Sequence, residues 1–266
     1  MSDIQARHID VAYDDHLIID NLSVSLPKGA ITTIIGANGC GKSTLLKALT
    51  RILGVKKGQI LLDSQAITTL PTKAVAKKMA LLPQILDGTE GITVYELVSY
   101  GRFPHQKYLG SLTAHDRSRI HWAMEMTKIT ELANSTVDSL SGGQRQRAWI
   151  AMALAQDTDT IFLDEPTTYL DLNHQLEVLE LLQGLNKESG KTIIMVLHDL
   201  NLSARFSDHL IAMKKGQIRY QGSPQAIITP ACLKDIFQIR AHIVDDPITQ
   251  RPMLLSYQLL SPSEDL

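Results

Sequence analysis

At 266 residues the chain can bury one large core or two modest ones. Hydrophobic residues make up 44% and charged residues 20%, which excludes a disordered chain and a fibrous repeat. With 26 Lys and Arg against 28 Asp and Glu the net charge is −2, and neither half is a basic block, so nucleic acid is not an expected partner.

The polar start Met1 to Arg7 lacks the apolar stretch of a secretory signal. No window approaches the ~20 apolar residues that cross a bilayer, so a membrane role is expected to be peripheral. Ile4 to Tyr13 and Ile18 to Leu26 read as strands around the polar turn Asp14-Asp15-His16, an antiparallel opening. Ile31 to Ile35 is a β-branched run with no polar face, as in a strand buried on both sides. It runs into a glycine-rich turn, after which Leu45, Leu46, Leu49, Ile52 and Leu53 recur at helical spacing. Further strands are expected at Ile60 to Leu62, Met79 to Leu82, Thr160 to Leu163, Thr192 to Val196 and Leu210 to Met213. Helices are expected at Gln144 to Ala155 and Gln175 to Leu185, and Gly91 to Leu140 carries helical pattern with little strand signal. After Gly222 five prolines punctuate the tail, which reads as a small appended unit outside the main core. Cys40 and Cys232 are too few for a disulfide framework and fit a reducing, cytoplasmic compartment. The expected class is α/β with an antiparallel β part.

Three motifs carry chemistry. Gly36-Ala37-Asn38-Gly39-Cys40-Gly41-Lys42-Ser43-Thr44 matches the phosphate-loop pattern and sits between a strand and a helix, where that pattern has physical meaning. Its glycines let successive N–H groups turn toward phosphate oxygens, and the helix that follows adds partial positive charge. Lys42 suits the β- and γ-phosphates and Ser43 suits Mg²⁺. Cys40 lies where the backbone does the binding and reads as a small packing residue. The apolar strand Thr160 to Leu163 ends in Asp164 and Glu165. Asp164 suits the Mg²⁺ shell, and Glu165 could polarise an attacking water. Leu140-Ser141-Gly142-Gly143-Gln144 can cap the next helix and leave its N-terminus open to an anion.

Phosphate loop, Leu140 to Gln144 signature and Asp164-Glu165 strand stand in one order, and in that order the chain resembles the nucleotide-binding subunit of an ATP-binding cassette (ABC) transporter. The resemblance covers about Ile4 to Gly222. It implies a P-loop NTPase core with a mixed sheet over residues 1–222, a helical insertion at about 91–156, and a small C-terminal extension at 223–266. It implies ATP and Mg²⁺ as ligands and a head-to-tail homodimer in which the signature Ser141, Gly142, Gly143 and Gln144 of one subunit closes over nucleotide held by the other. By the same resemblance Tyr13 stacks on adenine, Gln84 touches Mg²⁺ and water, Asp171 lies in the segment that crosses the dimer, and His198 is the γ-phosphate switch. Tyr169 stands where many relatives carry a small residue.

One cassette and no sustained heptads imply an importer motor that finds its integral membrane permease as separate polypeptides. A periplasmic or lipoprotein substrate-binding protein is then an indirect partner, and the place of work is the cytoplasmic face of the inner membrane. A soluble ATPase of the same superfamily is the alternative. The string Tyr100-Gly101-Arg102-Phe103-Pro104-His105-Gln106 and the run Glu165 to Asp171 resemble ATPases of iron-siderophore importers of the ferric enterobactin and ferrichrome type. Cobalamin and haem importers are built alike and stay open at this point. Arg102 to His105 is expected to border the groove that receives the permease.

Overall fold

The computed structural model describes residues 3–83, 90–106, 110–168 and 170–260. The chain divides into two compact units, one of Thr69–Ile193 and one of Asp3–Thr68 with Ile194–Leu266.

The second of these units opens with β1 (Ile4–Tyr13) and β2 (His16–Leu26), an antiparallel hairpin closed by Asp14 and Asp15. His16 therefore belongs to the strand and not to the turn. Together with β4 (Lys57–Leu62) and β5 (Gln65–Ala66) they form a sheet in the order β2-β1-β4-β5. Irregularities in the β1 register between Ala6 and Ala12 accompany burial of the consecutive Ile9, Asp10 and Val11, which strict alternation would forbid.

β3 (Ile31–Gly36) is buried along its whole length, as its unbroken β-branched run predicts. It pairs in parallel with β9 (His209–Lys214), which pairs antiparallel with β10 (Gln217–Gly222). On its other side β3 neighbours β8 (Thr192–Val196). The helix after β3, α1 (Lys42–Leu49), packs on β1, β2 and β3. It stops sooner than its spacing suggests: Arg51 takes a left-handed φ of 63° and Ile52 is 67% exposed. Apolar spacing alone cannot see the backbone turn that ends the helix.

After α7 (Leu200–Phe206) and the β9–β10 pair come α8 (Pro224–Ile227), α9 (Pro230–Phe237) and a hairpin of β11 (Ile239–Asp245) and β12 (Pro252–Leu259). Contrary to the sequence reading, this tail shares the core. Ile227, Ile228, Cys232, Leu233, Ile236 and Leu254 are buried in one cluster with Ile35, Ala204, Leu210 and Ala212. Two of the five prolines misled because they sit at helix starts, Pro224 and Pro230 each following a Ser or Thr cap, where a missing N–H costs nothing.

The unit of Thr69–Ile193 contains α2 (Thr72–Ala76), the parallel pair β6 (Met79–Leu82) and β7 (Thr160–Asp164), and α6 (Leu172–Ser189). Between β6 and β7, α3 (Val94–Tyr100), α4 (Ala114–Met126) and α5 (Gly142–Ala155) pack mutually. Arg102 lies in this helical part and corrects an expectation. It is 1% exposed, with Nε donating to Asp116 Oδ1 at 2.8 Å and Nη1 donating to the Ala155 carbonyl at 2.7 Å. Arg102 is thus an internal brace and not a charge on a permease-facing rim. His105 also turns inward, its Nε2 2.9 Å from the Gln156 carbonyl, whereas Tyr100 and Phe103 are exposed.

Candidate functional site

The phosphate loop leaves β3 at Gly36, which lies opposite Met213 of β9. A Cβ there would stand 2.5 Å from the Met213 carbonyl oxygen and 2.7 Å from Cys40 Sγ, and φ is 152°. Only glycine fits where the loop begins. The tip Ala37-Asn38-Gly39 is exposed, while Cys40, Gly41 and Lys42 are buried. Two backbone hydrogen bonds hold the curl: Cys40 N–H to the Ala37 carbonyl at 3.2 Å, and Gly216 N–H, from the β9–β10 turn, to the Cys40 carbonyl at 2.9 Å. Burial pushes the Cys40 thiol above its ordinary pKa, which suits the packing role expected for it.

Gly41 is the N-cap of α1, with φ 102° and no side-chain cap. The helix therefore begins on bare backbone, as an anion site at a helix N-terminus requires. Lys42, 6% exposed, donates from Nζ to the carbonyls of Gly36 at 2.9 Å and Ala37 at 3.1 Å. Its ammonium lies against the loop's own opening, with a third donor still to place. Ser43 and Thr44 follow in the first turn of the helix.

The same unit carries Tyr13 and His198. Tyr13 ends β1 opposite His16 and is 45% exposed, so a ring face is available for stacking. His198 is exposed two residues beyond the end of β8, the strand beside β3.

In the other unit Asp164 is the last residue of β7 and 3% exposed. Glu165, the next residue, has a left-handed φ of 54°, an unusual conformation for a glutamate. Its Oε2 accepts from Thr168 Oγ1 at 3.1 Å. The two carboxylates thus leave the strand in different environments, Asp164 buried and Glu165 half-buried beside Thr168, which suits different tasks. No cluster of three or more His, Cys, Asp or Glu suited to a metal occurs among the described residues. The Asp164 carboxylate is a hard oxygen donor of the kind Mg²⁺ takes from protein while keeping several waters and phosphate oxygens.

Ser141 is the N-cap of α5, as expected, in a reciprocal cap: Gln144 N–H donates to Ser141 Oγ at 3.3 Å and Ser141 N–H donates to Gln144 Oε1 at 3.0 Å. Gly142 is exposed and Gly143 buried. Sequence reasoning missed why Gly143 must be glycine: a Cβ would meet His174 Cδ2 at 2.8 Å. His174 in turn holds Asp171, the N-cap of α6, through Nδ1 to Oδ1 at 2.8 Å. The hydrogen bonds from the His174 backbone and ring hold the Asp171 carboxyl below its ordinary value. One imidazole therefore joins the signature peptide to Asp171. The available signal was a histidine three residues past a helix cap, which has no force without the contact. Gln84 and Tyr169 lie outside the described residues.

The family model described as ABC transporter matches residues 19–168. The iron(3+)-hydroxamate import ATP-binding protein FhuC of Bacillus subtilis is 52% identical over 266 residues, covering 100% of this chain and 99% of the relative. The ferric enterobactin transport ATP-binding protein FepC of Escherichia coli is 44% identical, covering 98% and 96%. Among solved structures, an inward-facing metal-chelate type ABC transporter aligns at TM-score 0.82 and 26% identity, covering 98% of each chain. A dimeric ATP-binding cassette in a post-hydrolysis state with ADP and Pi aligns at TM-score 0.74 and 28% identity, covering 83% of this chain and 98% of that one.

Proposed function

This chain belongs to the ABC transporter family and is an ATPase subunit of that family, and from that premise we propose that it powers uptake of ferric siderophores through an integral membrane permease. The observation that carries the substrate class is likeness along the whole chain, tail included, to an iron(3+)-hydroxamate import ATP-binding protein. No described helix is long and apolar enough to cross a membrane. In this reading the subunit docks on a membrane-embedded permease and works from the cytoplasmic face of the membrane. A binding protein outside delivers the chelate to that permease.

Each residue has a task in this reading. The amides of Gly36 to Thr44 and the Lys42 ammonium grip the phosphates, and Tyr13 stacks on adenine. Ser43, Asp164 and Gln84 would hold Mg²⁺, which supplies charge neutralisation on the phosphate oxygens. Glu165 orients and deprotonates the attacking water, and His198 contacts the γ-phosphate. Ser141 to Gln144 and Asp171 act across a head-to-tail dimer of two such chains. The test is uptake in a strain lacking this chain: ferric hydroxamate uptake is lost, wild-type chain restores it, and Glu165→Gln does not. Loss of cobalamin or haem uptake with iron uptake intact would overturn the substrate class.

A further inference from the structure

The tail after Gly222 has no task in the reading above, yet it is tied to the segment that carries His198. Asp199 caps α7, accepting from Leu202 N–H at 2.8 Å, and Ser203 Oγ donates back to the Asp199 carbonyl at 2.6 Å. His198 is thus one residue ahead of a closely bonded helix start. Two residues into α7, the Asn201 carboxamide pairs with both backbone groups of Leu254 in β12. Leu254 N–H donates to Oδ1 at 2.8 Å and Nδ2 donates to the Leu254 carbonyl at 3.2 Å. Leu254 is itself buried in the cluster that includes Ile35 of β3.

The far end of α7 is held as well. Arg251, just before β12, donates from Nη1 to the Ser207 carbonyl at 3.0 Å, with Nη2 3.8 Å from Asp208. Asp208 accepts from Ile31 N–H, the first residue of β3, at 3.0 Å, and Ser207 Oγ lies 2.6 Å from Thr33 Oγ1. The hairpin therefore grips α7 at both ends. Beside α7 an open cleft of about 440 Å³ is lined by His198, Asp199, Asn201, Ile239, Leu254 and Tyr257.

We propose that the β11–β12 hairpin positions His198 for catalysis, and that Asn201 is the positioning residue that transmits its hold. The argument is geometric. A side-chain amide bonded to both groups of one peptide fixes distance and orientation, and the tether from Asn201 back to His198 is three residues long and stiffened by the Asp199 cap. The inference rests on the reading of His198 as the γ-phosphate contact.

The experiment compares ATP hydrolysis by wild type, His198→Ala, Asn201→Ala and Ser256→Ala, each assembled with its permease. Ser256 lies on β12 outside the clasp and serves as control. Asn201→Ala loses two hydrogen bonds and is expected to lower kcat roughly ten-fold with KM for ATP within about two-fold, while Ser256→Ala is unchanged. Asn201→Ala should also shift or broaden the His198 imidazole NMR signal, assigned by its disappearance in His198→Ala. Deleting the chain after Gln238 would test the same idea but exposes buried Leu254's partners, so the point variant decides. If His198→Ala is inert and Asn201→Ala has wild-type kcat, or a changed KM alone, the hairpin does not position the histidine. If His198→Ala is itself fully active, the switch reading falls and the inference with it.

Discussion

The phosphate loop enters α1 through Gly41, which offers no side chain to the first turn, whereas the signature enters α5 through Ser141, whose reciprocal bonds with Gln144 already satisfy two donors, the N–H groups of Ser141 and Gln144. Both peptides are glycine-rich helix starts, but they suit different partners. An uncapped start keeps its first-turn N–H groups for an outside acceptor, which suits direct binding of phosphate. A capped start has fewer donors left to give and suits contacts added to an anion held elsewhere. The same contrast extends along the helices. α5 is braced at its far end by Arg102 on the Ala155 carbonyl and at its near end by His174 against Gly143, so the signature is presented by a rigid rod. In the phosphate loop the lysine is instead bonded to the loop's own carbonyls, with one donor left to place.

The sharpest way to break the contrast is at the far brace. Arg102→Glu places two carboxylates in a buried site and strips a donor from Ala155, and breaking a buried pair costs about 3–5 kcal/mol. The variant is expected to melt far below wild type or fail to fold, in contrast to a rim charge, which would leave stability nearly unchanged. Asp116 gives a pH signature of the same brace. Burial would raise its pKa, but the hydrogen bonds from Thr113 and Arg102 hold it down to about 2 from an ordinary 3.8. The folded value lies below the unfolded one, so the stabilisation is complete above about pH 4 and drains away as pH falls toward 2. In Arg102→Met the melting temperature should depend less on pH across that window.

Next in size is the loop itself. Lys42→Ala removes the one side-chain cation among the loop residues, and charge-assisted bonds of this kind amount to about 1.5–3 kcal/mol. ATP affinity measured by titration should fall by up to about a hundred-fold. Retention of wild-type affinity would show that the loop does not bind phosphate in the way its uncapped start implies.

Gly143→Ala tests the near brace. The new Cβ forces the His174 ring away, and overpacking of this kind costs roughly 1–3 kcal/mol. Because the obstacle is a side chain and not backbone, Gly143→Ala combined with His174→Ala should regain stability by thermal melting. The double variant still lacks the link to Asp171, so its hydrolysis should stay low while ATP affinity, set at the phosphate loop, stays normal.

Most of the strands and the three motifs were legible because their signals are local. A β-branched run such as Ile31 to Ile35 names a buried strand by itself, and the loop and signature are contiguous peptides with fixed spacing. What the sequence hid depends on pairs far apart in the chain. Arg102 reads as a solvated helix end until Asp116 and Ala155 are seen around it. β10 escaped notice because its alternating half-buried and exposed residues, Gln217 to Gly222, belong to a sheet edge with only one partner. The tail looked peripheral because proline marks helix starts as well as loops, and nothing local says that Leu254 meets Asn201.

The smallest expected effect is also the finest probe of the contrast. Ser141→Ala removes a cap hydroxyl that accepts from Gln144 N–H, and loss of such a cap costs about 1 kcal/mol. For a unit of this size that lowers the melting temperature by roughly 2–4 °C. Ser141→Asp separates the two tasks of the residue. Aspartate caps as well as serine and its charge favours the helix N-terminus, so stability should hold or rise slightly. The same charge opposes the γ-phosphate that the head-to-tail reading brings to Ser141 from the other subunit. Hydrolysis should therefore fall in Ser141→Asp although folding and the subunit's own ATP affinity do not. Wild-type turnover in that variant would mean that the serine serves α5 alone and that no phosphate reaches the signature.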